Sequence, residues 1–112
     1  MSSSEQLDAA FAALGHPVRR AIIARLAKGE ANVSALAAPF DMSLPAISKH
    51  IQVLEKAGLI KRSKSAQFRP CSLNAEAIQA VADWTSQYRH IWDARFEAMD
   101  AAIMRAGRPH ND

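Results

Sequence analysis

Apolar side chains recur every three or four positions along most of the chain, a spacing that predicts a mainly helical protein. The first predicted helix has an apolar face made of Leu7, Phe11 and Leu14. The second covers residues 17–28, and its apolar face is made of Val18, Ile22 and Leu26. We expect both faces to contact the core. Arg19, Arg20 and Arg25 are expected on the outer side of the second helix.

Two further helices follow, separated by a short turn. Asn32 or Ser34 caps a short third helix, and Ser43 caps a fourth, because both residue types accept hydrogen bonds from the first free N–H groups of a helix. Gly58 ends the fourth helix in the left-handed conformation that glycine adopts most easily. A short helix, a three-residue turn and a second helix form a helix-turn-helix, at about residues 33–57.

The spacing of apolar residues changes after Gly58 and predicts two short strands. Residues 59–64 and 68–73 form these strands around a polar turn at residues 65–67. The sequence therefore predicts a β-hairpin over about residues 59–73.

The C-terminal part of the chain is predicted to be one long helix. Asn74 caps it, and no helix-breaking residue follows until Gly107, so we expect a single helix over about residues 75–106. Its length, roughly 45 Å at the usual rise, exceeds what the core of a small domain needs. Its apolar stripe consists of Val81, Trp84, Tyr88, Trp92, Phe96, Met99 and Ile103.

This excess of apolar surface predicts a homodimer. We expect a single domain over residues 1–112, with five helices and a two-stranded hairpin, that dimerises through its N- and C-terminal helices. The residues expected at the dimer interface are Leu7, Phe11, Trp84, Tyr88, Trp92, Phe96 and Met99. A pocket for a small molecule between the subunits is the alternative use of the same aromatic residues.

The fourth helix has two chemically different faces. Ile47, Ile51 and Leu54 lie close together at 3.6 residues per turn and are expected to contact the core. The opposite face carries Pro45, Lys49, Gln52 and Lys56, with Ser48 at its flank. Amide, hydroxyl and ammonium groups in this arrangement suit a helix in the major groove of DNA, where they reach base edges and phosphates.

Charge is concentrated in the same part of the chain. The 112 residues carry a net charge of +3, and 49% of them are hydrophobic, which is enough to build a core. Residues 43–69 contain six basic side chains and one acidic one, a local charge of +5, so the remainder carries −2. This distribution indicates a surface that contacts phosphate.

Residues 36–51 and 53–60 resemble the ArsR/SmtB family of winged-helix repressors. The most specific part is Ser-Leu-Pro-Ala-Ile-Ser-Lys-His at residues 43–50, and residues 14–22 resemble the junction between the first two helices of that family. The resemblance extends from about residue 7 to residue 103. It implies a mainly α, winged helix-turn-helix homodimer that represses transcription by binding double-stranded DNA, with a recognition helix in the major groove and the hairpin as a wing.

The candidate DNA-binding residues follow from the two faces of the fourth helix, the charge distribution and the resemblance. They are Ser43, Pro45, Ala46, Ser48, Lys49, His50, Gln52, Lys56, Lys64, Gln67 and Arg69. The angular position of His50, next to Ile47 and Leu54, favours a hydrogen-bonded packing histidine over a residue that contacts bases, although the resemblance places it on the DNA-facing helix.

Metal-sensing members of the family differ from this chain at their ligand positions. Some of these members carry a pair of cysteines on the helix before the turn of the helix-turn-helix. This chain has Val-Ser-Ala-Leu there, at residues 33–36. Others carry two ligand pairs on the terminal helix, Asp-x-His and then His-x-x-Glu. When His90 and Asp93 are aligned with His-x-x-Glu, the positions of Asp-x-His are occupied by Ala77 and Gln79. Zinc needs three or four protein ligands, so we expect no metal site and no cofactor.

Other activities find little support in the sequence. We expect no enzyme, because no grouping of nucleophile, base and acid is recognisable. Cys71 is the one cysteine; we expect it half-buried and inert, a redox-sensing thiol being the alternative. With no signal peptide and no stretch of 18 apolar residues, we expect a cytoplasmic protein that does not enter membranes.

Two alternatives to a plain operator-binding repressor remain open at this point. The first is the same fold responding to a small organic ligand or a partner protein at the dimer interface. The second is an interaction module that kept the fold and lost its affinity for DNA. The basic stripe, free of carboxylates, favours DNA binding over the second alternative.

Overall fold

The computed structural model describes residues 3–64 and 69–107. Their elements are α1 (Ser3–Leu14), α2 (Pro17–Leu26), α3 (Val33–Ala37), α4 (Leu44–Lys56), β1 (Ile60–Arg62), β2 (Cys71–Leu73), α5 (Ala75–Ser86) and α6 (Arg89–Gly107). The predicted mainly helical fold with a two-stranded hairpin is confirmed. Contacts divide the chain into two compact units at the boundary between Val81 and Ala82.

The core of the first unit lies where α1, α2, α3, α4 and the hairpin meet. Its fully buried large side chains are Ile22, Leu36, Ile47, Ile51, Leu54, Leu59 and Cys71. The three from α4 are the residues whose spacing predicted a core-facing side, and Ala77, Ile78 and Val81 of α5 pack against the same cluster. In the part of the chain that the structure describes, no helix has the length and apolar character to cross a membrane.

The face by which α1 enters the core differs from the prediction. Ala10 and Ala13 are the buried residues of this helix, whereas Leu7 is half-buried and Phe11 is exposed over 37% of its surface. Alanine leaves little side chain between two helix backbones, so α1 can approach α2 and α4 closely at these positions. Leu7 and Phe11, which are larger, therefore lie at the periphery of the contact between α1 and the core.

Both ends of α4 are fixed by local hydrogen bonds. The Ser43 hydroxyl accepts from the backbone N–H of Ala46 at 3.3 Å, and is the predicted N-cap. At the other end Gly58 has a φ of +79°, and the N–H of Leu59 donates to the carbonyl of Leu54 at 3.0 Å. This is a Schellman motif, in which Leu54 and Leu59 are both fully buried. The helix therefore starts and stops at residues that its own sequence specifies.

The hairpin is anchored at its base. β1 and β2 pair antiparallel, with Ile60 opposite Leu73 and Arg62 opposite Cys71, and the backbone of Cys71 also pairs with Ala31 before α3. Cys71 is therefore fully buried, where we expected a half-buried thiol. Burial raises the pKa of this thiol above its usual value, which keeps it protonated and poorly nucleophilic.

The C-terminal segment forms two helices instead of the one that was predicted. Three consecutive polar side chains each donate a hydrogen bond to the carbonyl three positions earlier: Thr85, Ser86 and Gln87. The backbone N–H of Tyr88 likewise bonds to the carbonyl of Thr85 at 3.0 Å. Side-chain donors that occupy carbonyls, together with tight turns of this kind, interrupt a helix without glycine or proline. Residues 3–64 and 69–107 thus form six helices, with a break at Gln87 and Tyr88.

Candidate nucleic-acid interface

The outward face of α4 is polar and basic. Lys49, Gln52 and Lys56 are exposed, as is Pro45 in the first turn, while Ser48 at the flank is half-buried. The helix carries one acidic residue, Glu55. Groups that donate or accept hydrogen bonds and groups that attract phosphate therefore share this surface.

The orientation of this face follows from the packing of the opposite side. Ile47 and Leu54 are 0% exposed, and α4 contacts α1, α2, α3 and β1. A rotation of the helix would expose these side chains, and burying each stabilises the fold by about 2 kcal/mol. The side that carries Lys49 and Gln52 is consequently directed to solvent.

Two other candidate residues on this helix have structural roles as well. Ser43 is exposed, but its hydroxyl oxygen already accepts the capping hydrogen bond from Ala46. Ala46 is half-buried. Two apolar side chains that the sequence analysis did not select, Leu44 and Val53, are 52% and 40% exposed on the same helix.

The hairpin adds further positive charge. Lys61, Lys64 and Arg69 are exposed, whereas Arg62 is half-buried and donates to the carbonyl of Arg69 at 3.5 Å. Arg69 has a φ of +44°, a left-handed conformation in a chain that has no glycine at this turn. The candidate Gln67 lies outside the described residues. Lys61 lies on β1, which packs against α4, and Lys64 follows that strand, whereas Arg69 precedes β2.

His50 is half-buried and is hydrogen-bonded to a residue on another helix. Its Nδ1 lies 3.2 Å from Nη1 of Arg19, and its ring centroid lies 4.4 Å from that of His16. The angular position of His50 indicated such a packing role. Arg19, expected on the outer side of α2, is half-buried and also donates to the carbonyls of Ala12 and Ala13. This cluster could not be predicted from local sequence patterns, because Arg19 and His50 are 31 positions apart.

The surroundings of His50 disfavour its charged form. Its pKa lies below the ordinary value of 6.5, first because burial penalises the charge and then because His16 and Arg19 repel it. In the unfolded chain neither cause operates. The stabilisation associated with the neutral ring is therefore present above about pH 6.5 and is lost as the pH falls through the lower pKa of the folded state.

This difference in pKa leads to a prediction for stability. Between pH 7.5 and pH 5 the free energy of unfolding should fall more for the wild type than for His50→Gln, since glutamine cannot take up the proton. Urea denaturation followed by circular dichroism at several pH values measures both slopes. His90→Gln, a change at an exposed histidine of α6, serves as the control and should behave as the wild type. Equal slopes for wild type and His50→Gln would contradict the assignment.

The residues aligned with a metal site give no complete set of ligands. His90 and Asp93 are exposed on α6, and Ala77 and Gln79 stand on α5. Within residues 3–64 and 69–107, no group of three or more histidine, cysteine or carboxylate side chains is placed to hold a metal ion.

An apolar face runs along α6. Ile103, Phe96 and Met99 are 61%, 57% and 55% exposed, and Trp92 lies on the same side of the helix. Just before α6, the rings of Trp84 and Tyr88 contact each other at 5.1 Å, and both are also exposed. Ile91 and Met104 are exposed apolar residues that the sequence analysis did not select. Apolar surface of this extent marks a site of association.

Comparison with known proteins assigns the chain to a family. Residues 14–63, from the end of α1 to just after β1, match a helix-turn-helix domain family, HTH_20. The HTH-type transcriptional regulator Rv2034 of Mycobacterium tuberculosis is 43% identical over 81 residues, which cover 72% of this chain and 76% of that protein. The transcriptional repressor SdpR of Bacillus subtilis is 34% identical over 74 residues, which cover 66% of this chain and 82% of that protein.

A solved structure agrees with these relatives in both sequence and fold. The crystal structure of the ArsR family transcriptional regulator RHA00566 superimposes with a TM-score of 0.71 at 42% identity, covering 82% of this chain and 95% of that one. This protein belongs to the ArsR family of winged helix-turn-helix transcriptional regulators.

Proposed function

We propose that the protein is a homodimeric repressor that binds a near-palindromic operator in double-stranded DNA, with α4 in the major groove. The observation that carries the proposal is the contrast between the two sides of α4, one fully buried and the other exposed, polar and basic. The two relatives, a repressor and a regulator of transcription, support it. We propose that it acts in the cytoplasm, in contact with the DNA that it regulates.

Contacts to bases and phosphates are assigned to different residues of α4. Lys49 and Gln52, at the centre of the outward face, are proposed to reach base edges, since an amide or an ammonium group can pair with their hydrogen-bonding groups. The remaining residues of this surface position the helix through phosphate and sugar contacts. They are Ser43, Pro45, Ala46, Ser48, His50 and Lys56.

The wing is proposed to contact the DNA backbone beside the groove. Lys64 and Arg69 are its exposed cations next to the tip, and Gln67 stands between them in the sequence. Each phosphate contact made by such a side chain releases counterions, so the wing contributes affinity without sequence preference.

The apolar face of α6 is proposed to meet its copy in a second subunit. A two-fold pair buries the same surface on both chains and is the simplest closed arrangement. Leu7 and Phe11 of α1 complete the proposed interface, together with Trp84, Tyr88, Trp92, Phe96 and Met99. In such a dimer two recognition helices stand about 34 Å apart, one turn of DNA, which matches the two halves of a palindrome.

Regulation of this protein is proposed not to depend on a metal ion. The alignment leaves Ala77 and Gln79, one apolar and one amide side chain, where the family's terminal-helix site has an aspartate and a histidine. His90 and Asp93 alone offer fewer ligands than zinc requires.

Selection of bound sequences from a pool of random duplexes tests the function directly. We expect the wild-type protein to enrich a palindromic sequence at pH 7.5. Lys49→Ala and Gln52→Ala should bind that duplex about 1–3 kcal/mol less tightly, since each removes a groove contact. Lys28→Ala, which removes an exposed charge after α2, is the matched control.

Three outcomes would contradict the proposal in different ways. A pool without enrichment would show an interaction module that has lost DNA binding. Equal affinity of both α4 variants and the control would place the reading surface elsewhere. An enriched sequence without two-fold symmetry would contradict the dimeric arrangement.

A further inference from the structure

One arginine side chain connects the end of α1 to the recognition helix. The Nε of Arg19 donates to the carbonyl of Ala13 and its Nη2 to that of Ala12, both in the last turn of α1. Its Nη1 faces Nδ1 of His50 on α4 at 3.2 Å. The guanidinium group of Arg19, on α2, is therefore hydrogen-bonded to both α1 and α4.

The chemistry of this contact fixes the protonation state of His50. A guanidinium group has hydrogen-bond donors and no acceptor, so Nδ1 of His50 must be the acceptor and must lack a proton. The neutral ring then carries its proton on Nε2. The neighbouring ring of His16 is used in the same way, since its Nδ1 accepts from the backbone N–H of Val18 at 3.1 Å and caps α2.

Protonation of His50 would break this connection. A proton on Nδ1 replaces the acceptor with a donor, so that two N–H groups and two positive charges face each other. Among the elements packed against α4, the titratable or charged side chains that act on the ring are His16, at the start of α2, and Arg19, on α2. Both disfavour the charged ring.

Building on the DNA-binding function proposed above, we propose that Arg19 is a positioning residue for DNA recognition. Through the unprotonated Nδ1 of His50 it holds the recognition helix against the end of α1, so that affinity for the operator falls when His50 takes up a proton. Arg19 need not touch DNA in this role.

The sign of the effect distinguishes this proposal from ordinary electrostatics. Lowering the pH adds positive charge to the protein, which by itself strengthens binding to phosphates. The positioning role of Arg19 predicts weaker binding at low pH, because His50 is then protonated and must release its proton when the protein binds DNA. By linkage, the dissociation constant rises by up to about tenfold per pH unit for each His50 below its pKa.

The experiment uses the fluorescent duplex that the wild-type protein selects from random DNA at pH 7.5. The dissociation constant is measured from pH 7.5 to pH 5, with circular dichroism to verify that the protein stays folded. We expect affinity to fall with pH for the wild type and for His90→Gln, and the fall to be absent in His50→Gln. The readout is the ratio of dissociation constants at the two pH values. A direct contact of His50 with phosphate would change this ratio in the opposite direction, because a protonated ring attracts phosphate.

Arg19→Lys provides a second variant that keeps the charge. The compact ammonium group of lysine lacks the planar fork by which the guanidinium reaches α1 and His50 with different nitrogens, so we expect binding at pH 7.5 to weaken about tenfold and the dependence on pH to diminish. Long-range nitrogen–proton correlation spectra of the DNA-free protein should show His50 with its proton on Nε2. They test the contact without DNA.

The possible failures are distinguishable. If no duplex is selected at pH 7.5, the proposed function itself is wrong and this inference falls with it. If the wild type binds the selected duplex but binds it equally or more tightly at pH 5, the function stands and the positioning role of Arg19 is wrong. A His50 ring with its proton on Nδ1 would also overturn that role.

Discussion

Replacing Phe96 with glutamate is expected to convert the proposed dimer into monomers and to weaken operator binding at least about 100-fold. Phe96 lies in the middle of the apolar face of α6 and is 57% exposed in the single chain. A carboxylate at this position would have to lose its hydration inside an apolar interface, at a cost of several kcal/mol. A monomer engages one half of the operator and loses the gain that comes from binding both halves.

Sedimentation velocity at micromolar concentration and titration of the selected duplex measure these two effects. Ala101→Glu is the matched control, because it introduces the same charge into the same helix on the side opposite Phe96. The control should stay dimeric and bind normally. A wild type that sediments as a monomer and still binds one half-site tightly would refute the dimer, and a Phe96→Glu protein that remains dimeric would move the interface elsewhere.

Leu54→Ala is expected to lower the free energy of unfolding by about 2–5 kcal/mol. The Leu54 side chain is 0% exposed, and its carbonyl accepts the hydrogen bond from Leu59 that closes α4. Truncation leaves a cavity in the core cluster to which Leu54 belongs. Because α4 is held in place by this packing, the variant should also bind the operator more weakly at temperatures where it is still folded.

Val53→Ala tests whether the loss comes from burial. Val53 precedes Leu54 in the same helix but is 40% exposed, so its truncation should change the free energy of unfolding by no more than about 0.5 kcal/mol. Urea denaturation of both variants at one protein concentration gives the comparison. A similar decrease in the free energy of unfolding for Leu54→Ala and Val53→Ala would show that the packing of α4 does not depend on Leu54.

The helix-turn-helix could be predicted because its signals are local. Ser43 and Gly58 lie at the ends of α4, and both act through hydrogen bonds to residues within a few positions. The apolar spacing of Ile47, Ile51 and Leu54 specified the buried side of the helix, and with it the exposed side. The candidate groove-facing residues Lys49 and Gln52 follow from that geometry and from the length of the helix.

The C-terminal helix was predicted less well, for an identifiable reason. The spacing of its apolar residues continues across the break at Gln87 and Tyr88, and neither glycine nor proline marks the interruption. The run of Thr85, Ser86 and Gln87 was the available signal, since such side chains compete for backbone carbonyls. Whether they do so in a given helix depends on its surroundings.

Sequence alone therefore determined the elements whose caps, periods and charges lie within one segment: the recognition helix, its two faces and the basic hairpin. Tertiary structure decided which residues from distant segments meet. It placed Ala10 and Ala13 in the core in preference to Phe11, buried Cys71 completely against Ala31, and joined Arg19 to His50. Such contacts depend on how closely helices and strands approach each other, and periodicity along a single helix contains no information about that distance.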